Sequence, residues 1–118
     1  MIHKILVVED DVVFCKLLTR FLSKKEFVTN DAQKASDAYA LMESNQYDLA
    51  ILDYRLPGEN GLEILKKIKK EYPDMKVILI SRFGDTETAD EAKSLGAEAY
   101  VSKPINPDEL LEVIHSLK

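Results

Sequence analysis

Ile5-Leu6-Val7-Val8-Glu9-Asp10-Asp11 is a four-residue apolar run that stops at three consecutive carboxylates. Leu49-Ala50-Ile51-Leu52 has the same form and ends at Asp53, and Val77-Ile78-Leu79-Ile80 has it again and ends at Ser81. None of the three alternates with polar residues, so each suits a strand buried on both faces, as in a parallel sheet covered by helices. Phe27-Val28-Thr29 and Ala99-Tyr100-Val101 supply two weaker strands, the latter just after Gly96, a residue suited to ending a helix.

Between these runs the apolar period changes to that of a helix. Phe14, Leu17, Leu18, Phe21 and Leu22 fall at i, i+3, i+4, i+7 and i+8, and Ala35, Ala38, Leu41 and Met42, then Leu62, Leu65 and Ile68, read the same way. A fourth helix over residues 86–95 has a thin stripe, only Ala89, Ala92 and Leu95, which makes it a candidate for movement. The fifth has the best start signal: Asn106 can cap, Pro107 suits the first helical position, and Asp108 and Glu109 suit the positive end of the helix dipole. Leu110, Leu111, Val113, Ile114 and Leu117 supply its buried side. Five strand–helix alternations with right-handed crossovers make an α/β domain, a doubly wound five-stranded parallel sheet with five helices.

Composition narrows the function. The 118 residues, 46% hydrophobic, fit one domain with one core, residues 1–118. With 21 acidic against 16 basic residues the formal charge is -5, which argues against a nucleic-acid surface, where clustered Lys and Arg are needed. The single cysteine, Cys15, can form neither an internal disulfide nor a multi-thiolate metal site and reads as inert. The N-terminus lacks the order of a signal peptide, and no apolar stretch approaches the roughly 20 residues that cross a bilayer, so a cytoplasmic, non-membrane protein is expected.

In doubly wound sheets ligands bind outside the carboxyl ends of the strands. Here those ends carry Glu9-Asp10-Asp11, Asp53, Ser81 and Ser102-Lys103-Pro104. Carboxylates crowded together repel one another unless a cation or proton intervenes, and hard oxygen ligands select magnesium or a similar ion, which leaves coordination positions for phosphoryl oxygens. Phosphoryl transfer needs a nucleophile, a metal and further positive or hydrogen-bonding groups. Asp53 can be the nucleophile, Asp10 and Asp53 can hold the ion with Glu9 further out through water, Lys103 offers an ammonium and Ser81 a hydroxyl. No Gly-rich nucleotide cradle is present.

Val7-Val8-Glu9-Asp10-Asp11, Asp53-Tyr54-Arg55-Leu56-Pro57-Gly58, Ser81 and Tyr100-Val101-Ser102-Lys103-Pro104 together resemble the receiver domain of two-component response regulators, chemotaxis-type receivers included, over essentially the whole chain. The resemblance implies a flavodoxin-like (βα)5 fold with strand order 2-1-3-4-5. It implies that Asp53 accepts phosphate from a histidine kinase or phosphotransfer protein, and that Glu9, Asp10 and Asp53 serve Mg2+ with the backbone carbonyl of Arg55. It further implies that Lys103 contacts the phosphoryl group, that the Lys103–Pro104 bond is cis, and that Ser81 and Tyr100 are a switch pair. The surface of helix four, strand five and helix five would then control an output partner or C-terminal effector domain, with phosphorylation-dependent homodimerisation open to it. Arg82 departs from the family, which favours a small residue there, and so bears on the rates of phosphate gain and loss; Ile105 replaces a common Phe.

Taken singly, these residues have plainer readings: Asp53 a solvated carboxylate, Lys103 a surface lysine, Tyr100 a packing aromatic, Asp11 a helix cap. Lys66, Lys67, Lys69 and Lys70 read as the solvated face of helix three, His3 as a surface residue and His115 as a cation near the end of helix five. A magnesium-dependent phosphohydrolase would carry a second Asp two residues after the nucleophile, where this chain has Arg55. A degenerate scaffold would have lost an acid or the lysine, and all are present. The expectation is a regulatory phosphoacceptor with no independent substrate turnover.

Overall fold

The computed structural model describes residues 2–81 and 86–117. Strands and helices alternate throughout: β1 (Lys4–Val8), α1 (Val12–Lys24), β2 (Val28–Ala32), α2 (Ala35–Ser44), β3 (Leu49–Asp53), α3 (Gly61–Glu71), β4 (Lys76–Ser81), α4 (Thr86–Ser94), β5 (Ala99–Ser102) and α5 (Pro107–Ser116). The strands form one parallel sheet in the order β2-β1-β3-β4-β5. The three apolar runs are its three central strands, and Ile5, Leu6, Leu49, Ala50, Ile51, Leu52, Val77, Ile78 and Leu79 are wholly buried. Alternate residues of each strand feed two cores. Leu6, Ala50, Leu52, Val77 and Leu79 pack with residues of α2, α3 and α4, whereas Ile5, Val7, Leu49, Ile51, Ile78 and Ile80 pack with α1 and α5.

The helix ends follow the local chemistry. Asp11 accepts from the backbone N–H of Phe14, Asn106 from those of Asp108 and Glu109, and Gly96 takes a φ of 99° after α4. Asn60 and Glu63 form a reciprocal capping box at the start of α3.

Four expectations need correction. β2 begins after Phe27 and runs on through Thr29, Asn30 and Asp31 to Ala32, because an edge strand with part of its surface in water tolerates polar residues that no apolar run signals. Leu17 is 59% exposed although it shares the apolar period; the buried stripe of α1 is Cys15, Leu18 and Leu22. On α4 the buried pair is Thr88 and Ala92, and Ala89 is only partly covered. Lys69 is not a solvated lysine of α3. Its ammonium donates to both carboxylate oxygens of Glu98, at 3.0 and 2.9 Å, and to the carbonyl of Met75 at 3.0 Å. Arg82, expected to affect rates, lies outside the described residues.

Candidate functional site

Register brings the site together. Val8 pairs with Leu52, Asp53 with Ile80, and Ser81 with Ser102, so the residues that leave β1, β3, β4 and β5 emerge side by side at one sheet edge. Backbone bonds continue the alignment past the strands: Glu9 N–H donates to the Ala32 carbonyl, Tyr54 N–H to Ile80 at 2.8 Å, and Lys103 N–H to Ser81 at 2.7 Å. The Lys103–Pro104 peptide bond is cis.

Lys103 Nζ sits at the centre, donating to Glu9 Oε1 at 3.0 Å and to Asp53 Oδ2 at 3.1 Å, with the Phe14 ring centroid 5.4 Å away. Glu9, Asp53 and Ser81 are buried, whereas Asp10 is exposed at the rim. Glu9 is therefore the deeper of the two acids on β1's exit. Burial pushes its carboxyl up to about 8, the neighbouring Asp53 carboxyl pushes the same way, and Lys103 opposes both. Burial also pulls the Lys103 ammonium down, but its bond to Glu9 and the charge of Asp53 outweigh this, and the net direction is upward. The ammonium bonds one oxygen of Glu9 and one of Asp53.

A cation fits what remains. Glu9 Oε2 is buried without a hydrogen-bond partner among the described residues, and single oxygens of Glu9, Asp10 and Asp53 all lie within 4.8 Å of one another. Hard, anionic oxygens at that spacing can hold a divalent metal ion.

Two glycines and a tyrosine shape the approach. A Cβ on Gly61 would stand 2.4 Å from the Asp53 carbonyl oxygen and 2.9 Å from Leu79 Cδ1, so the start of α3 can close on the end of β3 only because this residue has none. Gly58, at φ 81°, turns the loop between them. Tyr39 of α2 donates its hydroxyl to Glu59 Oε1 of the same loop at 3.1 Å. Gly61, Tyr39 and Glu59 escaped the sequence reading; a glycine directly after the capping Asn60, where alanine favours helix, was the available signal for the first.

Tyr100 is half-buried against the α3 and α4 side of the sheet. Cys15 is buried, and burial beside Asp31 pushes its thiol up to about 12, which keeps it unreactive. A cavity of about 740 Å³, lined in part by Tyr47, Asp48, Tyr72 and Met75, lies at the opposite edge of the sheet and contains none of the strand-end carboxylates.

Residues 5–115 match the response regulator receiver domain. The chain belongs to that family. Its receiver domain is 32% identical over 114 residues to the sporulation initiation phosphotransferase F of Bacillus subtilis, covering 97% of this chain and 92% of the relative. It is 32% identical over 115 residues to the photosynthetic apparatus regulatory protein RegA of Cereibacter sphaeroides, where it covers 98% of this chain but spans only 61% of the relative's length. A CheY-like receiver domain from Methanospirillum hungatei superposes with a TM-score of 0.92 at 32% identity, covering 98% of this chain and 93% of the other. Receiver domains are regulatory modules of two-component systems, and no helix among the described residues of this one is long and apolar enough to cross a membrane.

Proposed function

We propose that residues 1–118 act as one cytoplasmic phosphorylation switch. Asp53 accepts a phosphoryl group from a histidine kinase or phosphotransfer protein in a magnesium-dependent reaction, and the α4–β5–α5 surface passes the change to an output partner or effector domain. The observation that carries this reading is the Lys103 ammonium bridging Glu9 and Asp53 at 3.0 and 3.1 Å beside an orphaned carboxylate oxygen.

A carboxylate oxygen of Asp53 attacks the donor's phosphorus in line; the O–P bond forms as the bond from phosphorus to the donor histidine nitrogen breaks, and that nitrogen leaves with the electron pair. Lys103, held by Glu9, neutralises charge on the phosphoryl oxygens. Glu9, Asp10 and Asp53, with the Arg55 backbone carbonyl, would hold Mg2+, which when bound supplies further neutralisation of that charge. Ser81, buried at the end of β4, donates its hydroxyl to a phosphoryl oxygen, and Tyr100 of β5 turns inward in response and repacks the output surface. The chain modifies itself and turns over no separate substrate. Its acidity argues against direct nucleic-acid contact. A homodimer formed on phosphorylation is one output this surface can serve.

Acetyl phosphate with magnesium should add one acid-stable, base-labile phosphoryl group, read by intact mass, and Asp53→Asn should abolish it. Equal labelling of the two proteins would overturn the assignment.

A further inference from the structure

The loop of residues 55–60 joins two fixed points. On one side Tyr54 N–H is bonded to the Ile80 carbonyl, and on the other Gly61 N–H is bonded to the Tyr54 carbonyl at 2.9 Å, which draws the loop's ends together. Gly61 is pressed against the Asp53 carbonyl, and Asn60 is locked into its capping box. Both ends are therefore set by backbone. The span between them is not: among the described residues, the bond from Tyr39 to Glu59 is the single side-chain hydrogen bond that ties residues 55–59 to another element.

We infer that Tyr39 is a positioning residue for the metal site, fixing through Glu59 the loop from which the Arg55 carbonyl is presented. This rests on the functional reading above, in which that carbonyl serves magnesium. Tyr39 is suited to the task. Its ring is clamped by the Lys67 ammonium of α3, 4.2 Å from the centroid, so both helices that flank the loop hold the tyrosine. Burial and the adjacent Glu59 carboxylate push its hydroxyl upward, so it stays a donor across the working pH range. Partners one step removed from a metal that orient its ligands commonly alter affinity by about 10- to 100-fold, and a tether acting through several loop residues belongs near the lower end of that range.

The test uses the full chain and magnesium alone. Tyr39→Phe keeps the ring over Lys67 and removes only the hydroxyl. It should weaken magnesium by roughly tenfold, read from amide shifts of Asp10, Asp53 and Arg55, and should speed amide exchange across residues 55–60 in the metal-free protein while leaving the thermal midpoint unchanged. Glu59→Ala should match it, the double variant should be no weaker than the weaker single one, and Glu59→Gln, which keeps an acceptor, should bind as wild type does. Wild-type affinity and exchange in Tyr39→Phe would overturn the inference alone. So would a Glu59→Gln as weak as Glu59→Ala beside an unaffected Tyr39→Phe, because the loop would then answer to charge and not to the tether. Absence of any magnesium response in wild type would overturn the functional reading and this inference together.

Discussion

Replacing Gly61 by alanine tests the tightest glycine contact among the described residues. The added Cβ would lie 2.4 Å from the Asp53 carbonyl oxygen, about 1 Å inside the 3.4 Å at which ordinary van der Waals contact begins, and 2.9 Å from Leu79 Cδ1. The leucine methyl can turn away, but the carbonyl is backbone at the end of a wholly buried strand, so the first turn of α3 has to retreat. Overpacking of this kind costs about 1–3 kcal/mol and occasionally more. Alanine recovers up to about 1 kcal/mol of helix propensity, and less at the first helical position, where the residue is only half constrained. The net loss should be about 1–2 kcal/mol, a 5- to 30-fold shift toward the unfolded state.

Because the clash is with Asp53 itself and the turn that retreats packs directly on it, the damage should reach the site. Acetyl phosphate labelling of Gly61→Ala should slow even under conditions where the variant is fully folded, and the Asp53 and Lys103 amide resonances should move. Gly96→Ala is the control: its φ of 99° makes any side chain cost about 1–2 kcal/mol through left-handed strain, yet its Cβ would meet only the Lys69 side chain, at 3.5 Å or more, and it lies before β5, at the other end of that strand from Lys103. It should therefore lose comparable stability and label more nearly as wild type does. Denaturant midpoints and labelling rates for the three proteins decide the matter. A Gly61→Ala protein as stable as wild type, with unchanged labelling, would refute the steric argument and show that helix propensity governs the position.

Three further outcomes follow from the same geometry. Glu9 holds its proton more tightly folded than unfolded, so its contribution to stability is present below about 4.5 and is lost as pH rises through about 8; the metal-free protein should weaken to chemical denaturation across that window, while magnesium affinity climbs by up to about tenfold per pH unit as the ion displaces the proton. Val12, Val13 and Leu17, 51%, 71% and 59% exposed, form an apolar surface on the helix that starts beside Asp10, so Leu17→Asp should slow phosphotransfer from a kinase several-fold while leaving labelling by acetyl phosphate and the melting temperature unchanged. Glu98 binds the Lys69 ammonium and accepts from Val77 N–H at 2.8 Å, so Glu98→Ala should cost about 1–3 kcal/mol by denaturation, part of it from the backbone donor left unpaired, and Glu98→Gln should cost less.

Most of the fold was legible because three strands are buried on both faces and therefore, after the lysine that opens two of them, carry no polar residue until they end. That same property located the strand-end carboxylates, since a polar residue directly after such a run must stand at the sheet's edge. The edge strand β2 gave a weaker signal: Phe27-Val28-Thr29 marked its first half, but with Asn30 and Asp31 only partly buried nothing in composition separates the rest from loop, and only pairing with β1 defines where it ends. Leu17 failed for the opposite reason. Its spacing is helical, but α1 packs its apolar face on α5 and the sheet through Cys15, Leu18 and Leu22, and periodicity does not say how wide a stripe the neighbours cover.

The site divides along the same line. Asp53, Glu9, Ser81 and Lys103 meet because parallel pairing fixes the register of consecutive strands, and register follows from where the apolar runs stop; their convergence is a backbone property that a chain with these four endings can hardly avoid. Tyr39, Glu59 and Lys67 meet for a different reason. They stand on α2, a loop and α3, up to 28 positions apart, and their contact depends on how two helices sit on one sheet face and which rotamers that packing selects. Strand endings can therefore name the groups that meet at the sheet's edge, whereas the side chains that contact the loop beside them are set by helix packing and appear only in three dimensions. Tyr39→Phe and Asp53→Asn probe the two kinds of residue separately: Asp53→Asn should remove the phosphoacceptor and leave the tether intact, and Tyr39→Phe should loosen the site and leave its chemistry intact.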